Sequence, residues 1–137
     1  MAWEHFHHQA DIGIRGTGTT LEEAFEGGAA ALMAVICSPE TVQPVDRVEI
    51  ECEAEEKDLL FADWINALIY EMDVRKMLFG RFDIAIGNHT LTGKAWGEKI
   101  NPDRHKLAVE VKAATFMELK VYKNKDDQWV AQCVVDV

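Results

Sequence analysis

Apolar residues recur along this chain at two different spacings, and the spacing separates helices from strands. Leu21, Ala24, Phe25, Gly28, Ala29, Leu32, Val35 and Ile36 follow a 3.6-residue period, as one buried face of a helix does. Thr20-Leu-Glu-Glu23 introduces them as a capping box, whose threonine hydroxyl accepts from the third helical amide while the glutamate reaches back to the cap. Ser38-Pro39 closes the run, because proline disfavours a helical residue before it. A helix is therefore predicted from Leu21 to about Cys37. Its Gly27-Gly28 pair costs about 1 kcal/mol per glycine against alanine, which points to close packing on that face. Leu60, Phe61, Trp64, Ile65, Leu68, Ile69 and Met72 form a second apolar stripe over Lys57 to about Val74. Glu55, Glu56 and Asp58 suit the positive end of that helix's dipole.

Elsewhere the period is two. In Arg47 to Ala54, Val48, Ile50, Cys52 and Ala54 alternate with Glu49, Glu51 and Glu53, the pattern of a strand with one wet face. Phe82, Ile84 and Ile86 alternate up to a Gly87-Asn88 turn signal, followed by a strand around Thr90 to Gly97. Leu107, Val109, Val111 and Ala113 share one face of a further strand, with Glu110 and Lys112 on the other. Met117, Leu119 and Val121 predict another, Lys123 to Gln128 a polar hairpin connection, and Trp129 to Val135 the last strand. With Ile12 to Arg15 before the first helix, the order is strand, helix, strand, helix, then four or five strands. That order predicts an α+β fold, two helices laid on one face of a mostly antiparallel or mixed sheet. A length of 137 residues without repeat, linker or low-complexity stretch predicts one domain spanning 1–137.

Charge narrows the function classes. Fourteen Lys and Arg against 24 Asp and Glu give a formal net charge of −10, which argues against autonomous binding to a phosphate backbone, since that needs a cationic patch to replace counterions. The longest apolar run, Ala29 to Cys37, is nine residues, short of the ~20 a membrane helix needs. Met-Ala-Trp-Glu-His at the start lacks the features of a signal peptide. A cytoplasmic protein without a membrane partner is expected. Cys37, Cys52 and Cys133 are odd in number and widely spaced, so they read as small buried hydrophobes rather than as disulfides or a zinc site.

Most chemically suggestive residues have plainer explanations. Strand alternation puts only His5 and His7, not His8, on a common face, and two imidazoles are too few for zinc. Gly16-Thr-Gly-Thr-Thr20 lacks the Gly-Lys-Ser/Thr ending of a P-loop and the third glycine of a dinucleotide fingerprint, leaving a strand-to-helix turn. Ser38 is the only serine and stands in no nucleophile motif. Glu22-Glu23, Glu55-Glu56 and Asp126-Asp127 belong to helix starts or a hairpin. Asp136 differs, because only Val137 follows it and two carboxylates then lie within one residue of each other. Such groups repel unless a cation or donors separate them, and hard divalent cations prefer oxygen ligands. Asp11, flanked by apolar residues near a strand start, reads on its own as a turn or strand-edge residue.

Taken in order, several segments match one family. His8-Gln-Ala-Asp-Ile-Gly-Ile14, the helix start Gly18 to Phe25, Leu59-Leu60 with Trp64-Ile65-Asn66, Val111-Lys112-Ala113 with Thr115, and the terminal Val134-Val-Asp-Val137 resemble the archease family along nearly the whole chain. The resemblance implies a small α+β protein that is not itself an enzyme but a protein cofactor. Archeases assist RtcB-type RNA ligases, which join RNA ends in tRNA splicing and repair with GTP and a divalent metal, and they promote ligase guanylylation and multiple turnover. RNA and GTP would then be met only through the ligase. Residue by residue, the family's two metal-binding aspartates fall on Asp11 and Asp136, its terminal carboxylate on Val137 and its lysine on Lys112. The cation expected is calcium, or magnesium or manganese. Gln9 stands where the family usually has threonine, and Phe116-Met117 where it has a Tyr-His pair; the absent histidine removes a contact that tunes metal affinity or choice. A metal-dependent hydrolase using the same carboxylates, or a chaperone-like interaction module, are the alternative readings; the hydrolase lacks an identifiable base.

Overall fold

The first helix lies so close to a strand that neither backbone tolerates a side chain between them. In the computed structural model, which describes residues 1–137, a Cβ on Gly16 would come within 2.1 Å of the Ala24 carbonyl oxygen and 2.2 Å of the Gly28 nitrogen. Gly16 sits in β2 (Asp11–Gly18), and Gly27 and Gly28 in α1 (Leu21–Ile36). The glycine pair that weakens α1 as a helix is what lets it approach β2, as its cost in propensity implied. Thr20 Oγ1 accepts the Glu23 amide at 3.1 Å, the expected cap. Glu23 reaches one residue further back than a standard box, accepting from the Thr19 amide and hydroxyl.

The fold is α+β. Its strands divide between two antiparallel sheets instead of forming the one sheet expected from sequence. In the first, β1 (Ala2–His8), β2 and β8 (Trp129–Asp136) run in that order, and β8 uses its far edge twice. β6 (Ala113–Ala114) pairs with its end at Val135 and Asp136, and β7 (Lys120–Lys123) with its start at Trp129 to Gln132. The second sheet is β3 (Asp46–Glu53), β5 (Thr90–Lys99), β4 (Met77–Ile86). Both helices touch both sheets, and one apolar cluster joins Ile14, Phe25, Leu32, Phe61, Trp64, Phe79 and Val135.

α2 (Lys57–Arg75) holds the first sheet's late strands in place through side chains. Asp58 Oδ1 accepts the Val121 amide in β7, and Asn66 Oδ1 accepts the Ala114 amide in β6, each at 2.8 Å. Trp64, fully buried, donates its indole N–H to the Phe25 carbonyl at 3.1 Å, which satisfies the one polar atom such a residue brings inside. A short α3 (Pro102–His105), not anticipated from the sequence, is fixed by buried His105. Its Nδ1 accepts the Asn101 amide at 2.8 Å and its Nε2 meets Glu98 at 3.0 Å. No helix is long and apolar enough to cross a membrane.

Two sequence expectations fail locally. The strand predicted over Leu107 to Ala113 is paired only at Ala113–Ala114, and the one predicted over Met117 to Val121 is shifted to Lys120–Lys123. The first has a simple cause. Ala113 stands opposite Asp136, so residues before Lys112 extend past the last position that β8 offers and have no neighbour with which to form a ladder.

Candidate functional site

β1 and β2 form a hairpin whose two-residue turn is Gln9-Ala10, with Gln9 at φ 52°. This turn sets His8 directly opposite Asp11. On the other side of β2, Ile12 pairs with Val135 as the last pair of that ladder, so Asp11 and Asp136 each stand one residue beyond it, at adjoining ends of β2 and β8. Asp136 in turn pairs with Ala113. His8 and Asp11 are directly opposed, as are Asp136 and Ala113, and side chains so opposed have Cβ atoms about 4.5–5.5 Å apart; the two pairs adjoin at the β2–β8 corner. Ile12, Ile14, Cys133 and Val135 belong to the core or pack against it, so strand alternation turns Asp11 and Asp136 to the opposite face of the sheet.

The next rows on that face wall the site on one side. Phe6 covers Gly13 so closely that a Cβ there would lie 2.3 Å from its ring. Arg15 stacks over Phe6 at 4.6 Å and is held by Glu4 at 2.8 Å and Gln132 at 2.9 Å. The nearest cation on this face is thus already engaged, and Asp11 and Asp136 have no recorded ion-pair partner. Asp136 is exposed, Asp11 half-buried, and Val137 packs partly against the core. Lys112 lies immediately beside them in the chain path: its amide donates to the Asp136 carbonyl at 2.8 Å. Its side chain is exposed and lines a groove running away from the site.

The structure therefore brings together all four residues singled out from the sequence, at the joined ends of β2, β8 and β6. It also adds a residue that sequence reasoning left aside. His8 Nδ1 is the one buried side-chain nitrogen or oxygen without a hydrogen-bond partner. The hint in the sequence was its place across a two-residue turn from Asp11. Nowhere do three or more His, Cys, Asp or Glu side chains converge closely enough to hold a metal ion. Asp11 and Asp136 are the only two aspartates at this corner, and Val137 follows Asp136 directly. Carboxylate oxygens of this kind are the donors hard divalent cations such as calcium or magnesium prefer, and an imidazole is a donor manganese accepts more readily.

Eight antiparallel strands in two sheets around two helices, with an acidic pair at one sheet's corner, define a small α+β protein of a known kind. The profile of the Archease protein family (MTH1598/TM1083) matches residues 3–137, and the chain belongs to that family. It is 42% identical to protein archease of Pyrococcus furiosus, with 98% of each chain covered, and 35% identical to that of Methanopyrus kandleri over the whole of both. Among solved structures, it is similar to protein 1598 of Methanobacterium thermoautotrophicum, with a TM-score of 0.81, 29% identity and 99% of each chain covered. An archease of Thermotoga maritima, described as a possible chaperone, shares the fold with a TM-score of 0.65 at 22% identity, over 98% of this chain and 96% of that one.

Proposed function

We propose that this protein is an accessory activator of an RtcB-type RNA ligase, acting in tRNA splicing and RNA repair by promoting ligase guanylylation and multiple turnover. One observation supports the reading: Asp11 and Asp136, which the family resemblance marks as metal-binding, lie at adjoining strand ends where the Lys112 amide bonds the Asp136 carbonyl. Nothing else in the fold offers chemistry of its own. Buried Glu98 and His105, with the exposed Arg104, are engaged in fixing α3.

In this reading Asp11, Asp136 and the Val137 carboxylate hold a divalent cation, with His8 alongside. A cation held there would supply local positive charge to offset phosphate charge on the ligase's nucleotide. Pairing with His8 and with Ala113 fixes the backbone of Asp11 and Asp136, and Phe6 and Arg15 close the corner on one side. Lys112 presents an ammonium to a nucleotide phosphate or to a carboxylate on the ligase. The protein handles neither RNA nor GTP directly, in keeping with its net charge of −10.

The test is guanylylation and multiple-turnover joining by the host's ligase, with substoichiometric amounts of this protein. Wild type is expected to stimulate both steps, Asp11→Ala and Asp136→Ala to abolish stimulation while melting like wild type, and Lys112→Ala to reduce it. Wild-type stimulation by both aspartate variants would overturn the site. No stimulation by the wild type would overturn the function.

A further inference from the structure

Leu107 to Lys112 has the sequence of a strand and no strand to pair with. It runs without helix, turn or bend. Only two of its amides are bonded within the chain: Ala108 to the Ile36 carbonyl and Lys112 to the Asp136 carbonyl, both at 2.8 Å. Both are even-numbered. In an extended chain, N–H and C=O groups of alternate residues point to opposite edges. The backbone groups of Leu107, Val109 and Val111 have no partner within the chain.

Beside this segment lies a groove of about 700 Å³, bounded on its other side by the second half of α2. Its lining is mainly apolar, and it is ringed by large side chains left in water: Tyr70 is 62% exposed, Leu107 46% and Val109 38%. An apolar surface of this kind next to an unpaired edge is what strand addition uses, with main-chain bonds giving affinity and side-chain pockets giving selectivity. The groove also ends at the candidate site. Lys112 and Glu110 lie along its rim, and neither pairs with any charge in the chain.

We infer that an extended segment of the ligase, apolar at alternate positions and carrying a carboxylate where it meets Lys112, adds to Leu107–Val111 as a strand and fills the groove. This inference rests on the ligase-activator reading above and names how that partner is held. Charge complementarity fixes the acidic end of the segment at the free ammonium. Continuity of the groove with Asp136 then delivers the ligase to the carboxylate pair. Pairing on this edge also supplies the neighbour that the sequence pattern of Leu107 to Ala113 calls for and the fold does not provide.

The experiment is titration calorimetry of the full-length protein with the host's ligase, using Val109→Pro and Tyr70→Ala. Proline at 109 removes an amide that has no partner within the chain, and Tyr70 lies on the surface, so both variants are expected to melt close to wild type. Each is expected to weaken ligase binding at least tenfold. Binding within twofold of wild type by both variants would overturn the groove proposal and leave the activator reading standing. A loss with Tyr70→Ala but not with Val109→Pro would overturn strand pairing as the mode. No binding and no stimulation by the wild type would overturn the activator reading and this inference with it.

Discussion

Arg104 grips Glu98 at two points, Nη2 donating to Oε1 at 2.6 Å and Nη1 to Oε2 at 2.9 Å. The same carboxylate accepts the Gln43 amide at 2.8 Å and lies 3.0 Å from His105 Nε2. Because His105 Nδ1 accepts the Asn101 amide, its proton is on Nε2 and is donated to Glu98. This knot ties the end of β5 to α3, and α3 is where the unpaired segment Leu107 to Lys112 begins.

The bonds from Arg104, then Gln43, then His105 hold the Glu98 carboxyl down at about 2 instead of 4.5. A depressed value means that the folded state releases its proton more easily than the unfolded chain. The stabilisation is complete above about pH 4.5 and is lost as pH falls through about 2. Glu98→Gln is expected to melt below wild type at pH 7, with the gap closing between these two values. A gap that stays constant across thermal melts from pH 7 to pH 2 would show that Glu98 acts by shape, not charge.

Gly16→Ala places a methyl 2.1 Å from the Ala24 carbonyl oxygen, and the atoms it meets are backbone that no rotamer change can move. Overpacking of this kind costs about 1–3 kcal/mol. For a domain of this size, each kcal/mol lowers Tm by about 3–5 °C. Urea unfolding of the variant is expected to show a lower midpoint at an unchanged slope. A neutral result would mean that α1 can lift off β2.

What could be read from the sequence was mostly local. The first helix was legible to within a residue or two because capping, period and proline agree at Thr20, Leu32 and Ser38-Pro39, and the second from its apolar stripe between Leu60 and Met72. The β4–β5 hairpin was legible because Gly87-Asn88 is a turn signal. β1 was not legible as half of a hairpin, because its turn is Gln9-Ala10 and positive φ falls on a glutamine, where neither glycine nor asparagine marks it. The division into two sheets depends on which strand meets β8, a long-range choice that periodicity does not encode. Asp11 and Asp136 were found through family resemblance and the tail's charge. Their adjacency comes from the β2–β8 register, which no local pattern around either residue reveals.

Burial pushes the Cys133 thiol up to about 12, and Cys37 and Cys52 to about 11, with Glu40 and Asp63 adding to the last two respectively. The thiolate is the reactive form, so iodoacetamide at pH 8 is expected to label the folded protein slowly. Cys52, half-buried where the others are buried, is expected to react first. All three should label together in denaturing urea. Fast labelling of Cys133 in buffer, read by peptide mass spectrometry, would mean that β8 opens readily and would weaken the case for a rigid carboxylate pair.

Asp11 and Asp136 lie at adjoining ends of β2 and β8 with no ion-pair partner in the chain, and like charges brought close across strands are destabilising. Without added metal, Asp136→Asn is therefore expected to melt no lower than wild type, since it removes a repulsion and exposes nothing. With calcium the order reverses. A ligand that binds only the folded state stabilises it by RT ln(1 + [L]/Kd), about 2.7 kcal/mol at a hundred times Kd, so wild type gains several degrees that the variant does not. Asp11→Asn is expected to lose the same gain, and so is a chain extended beyond Val137, because extension turns the third carboxylate into an amide. His8→Ala separates the cations: calcium, held by oxygens, should be little affected, whereas manganese should lose more of its shift. Equal calcium shifts in wild type and both aspartate variants would show that these carboxylates do not hold the metal.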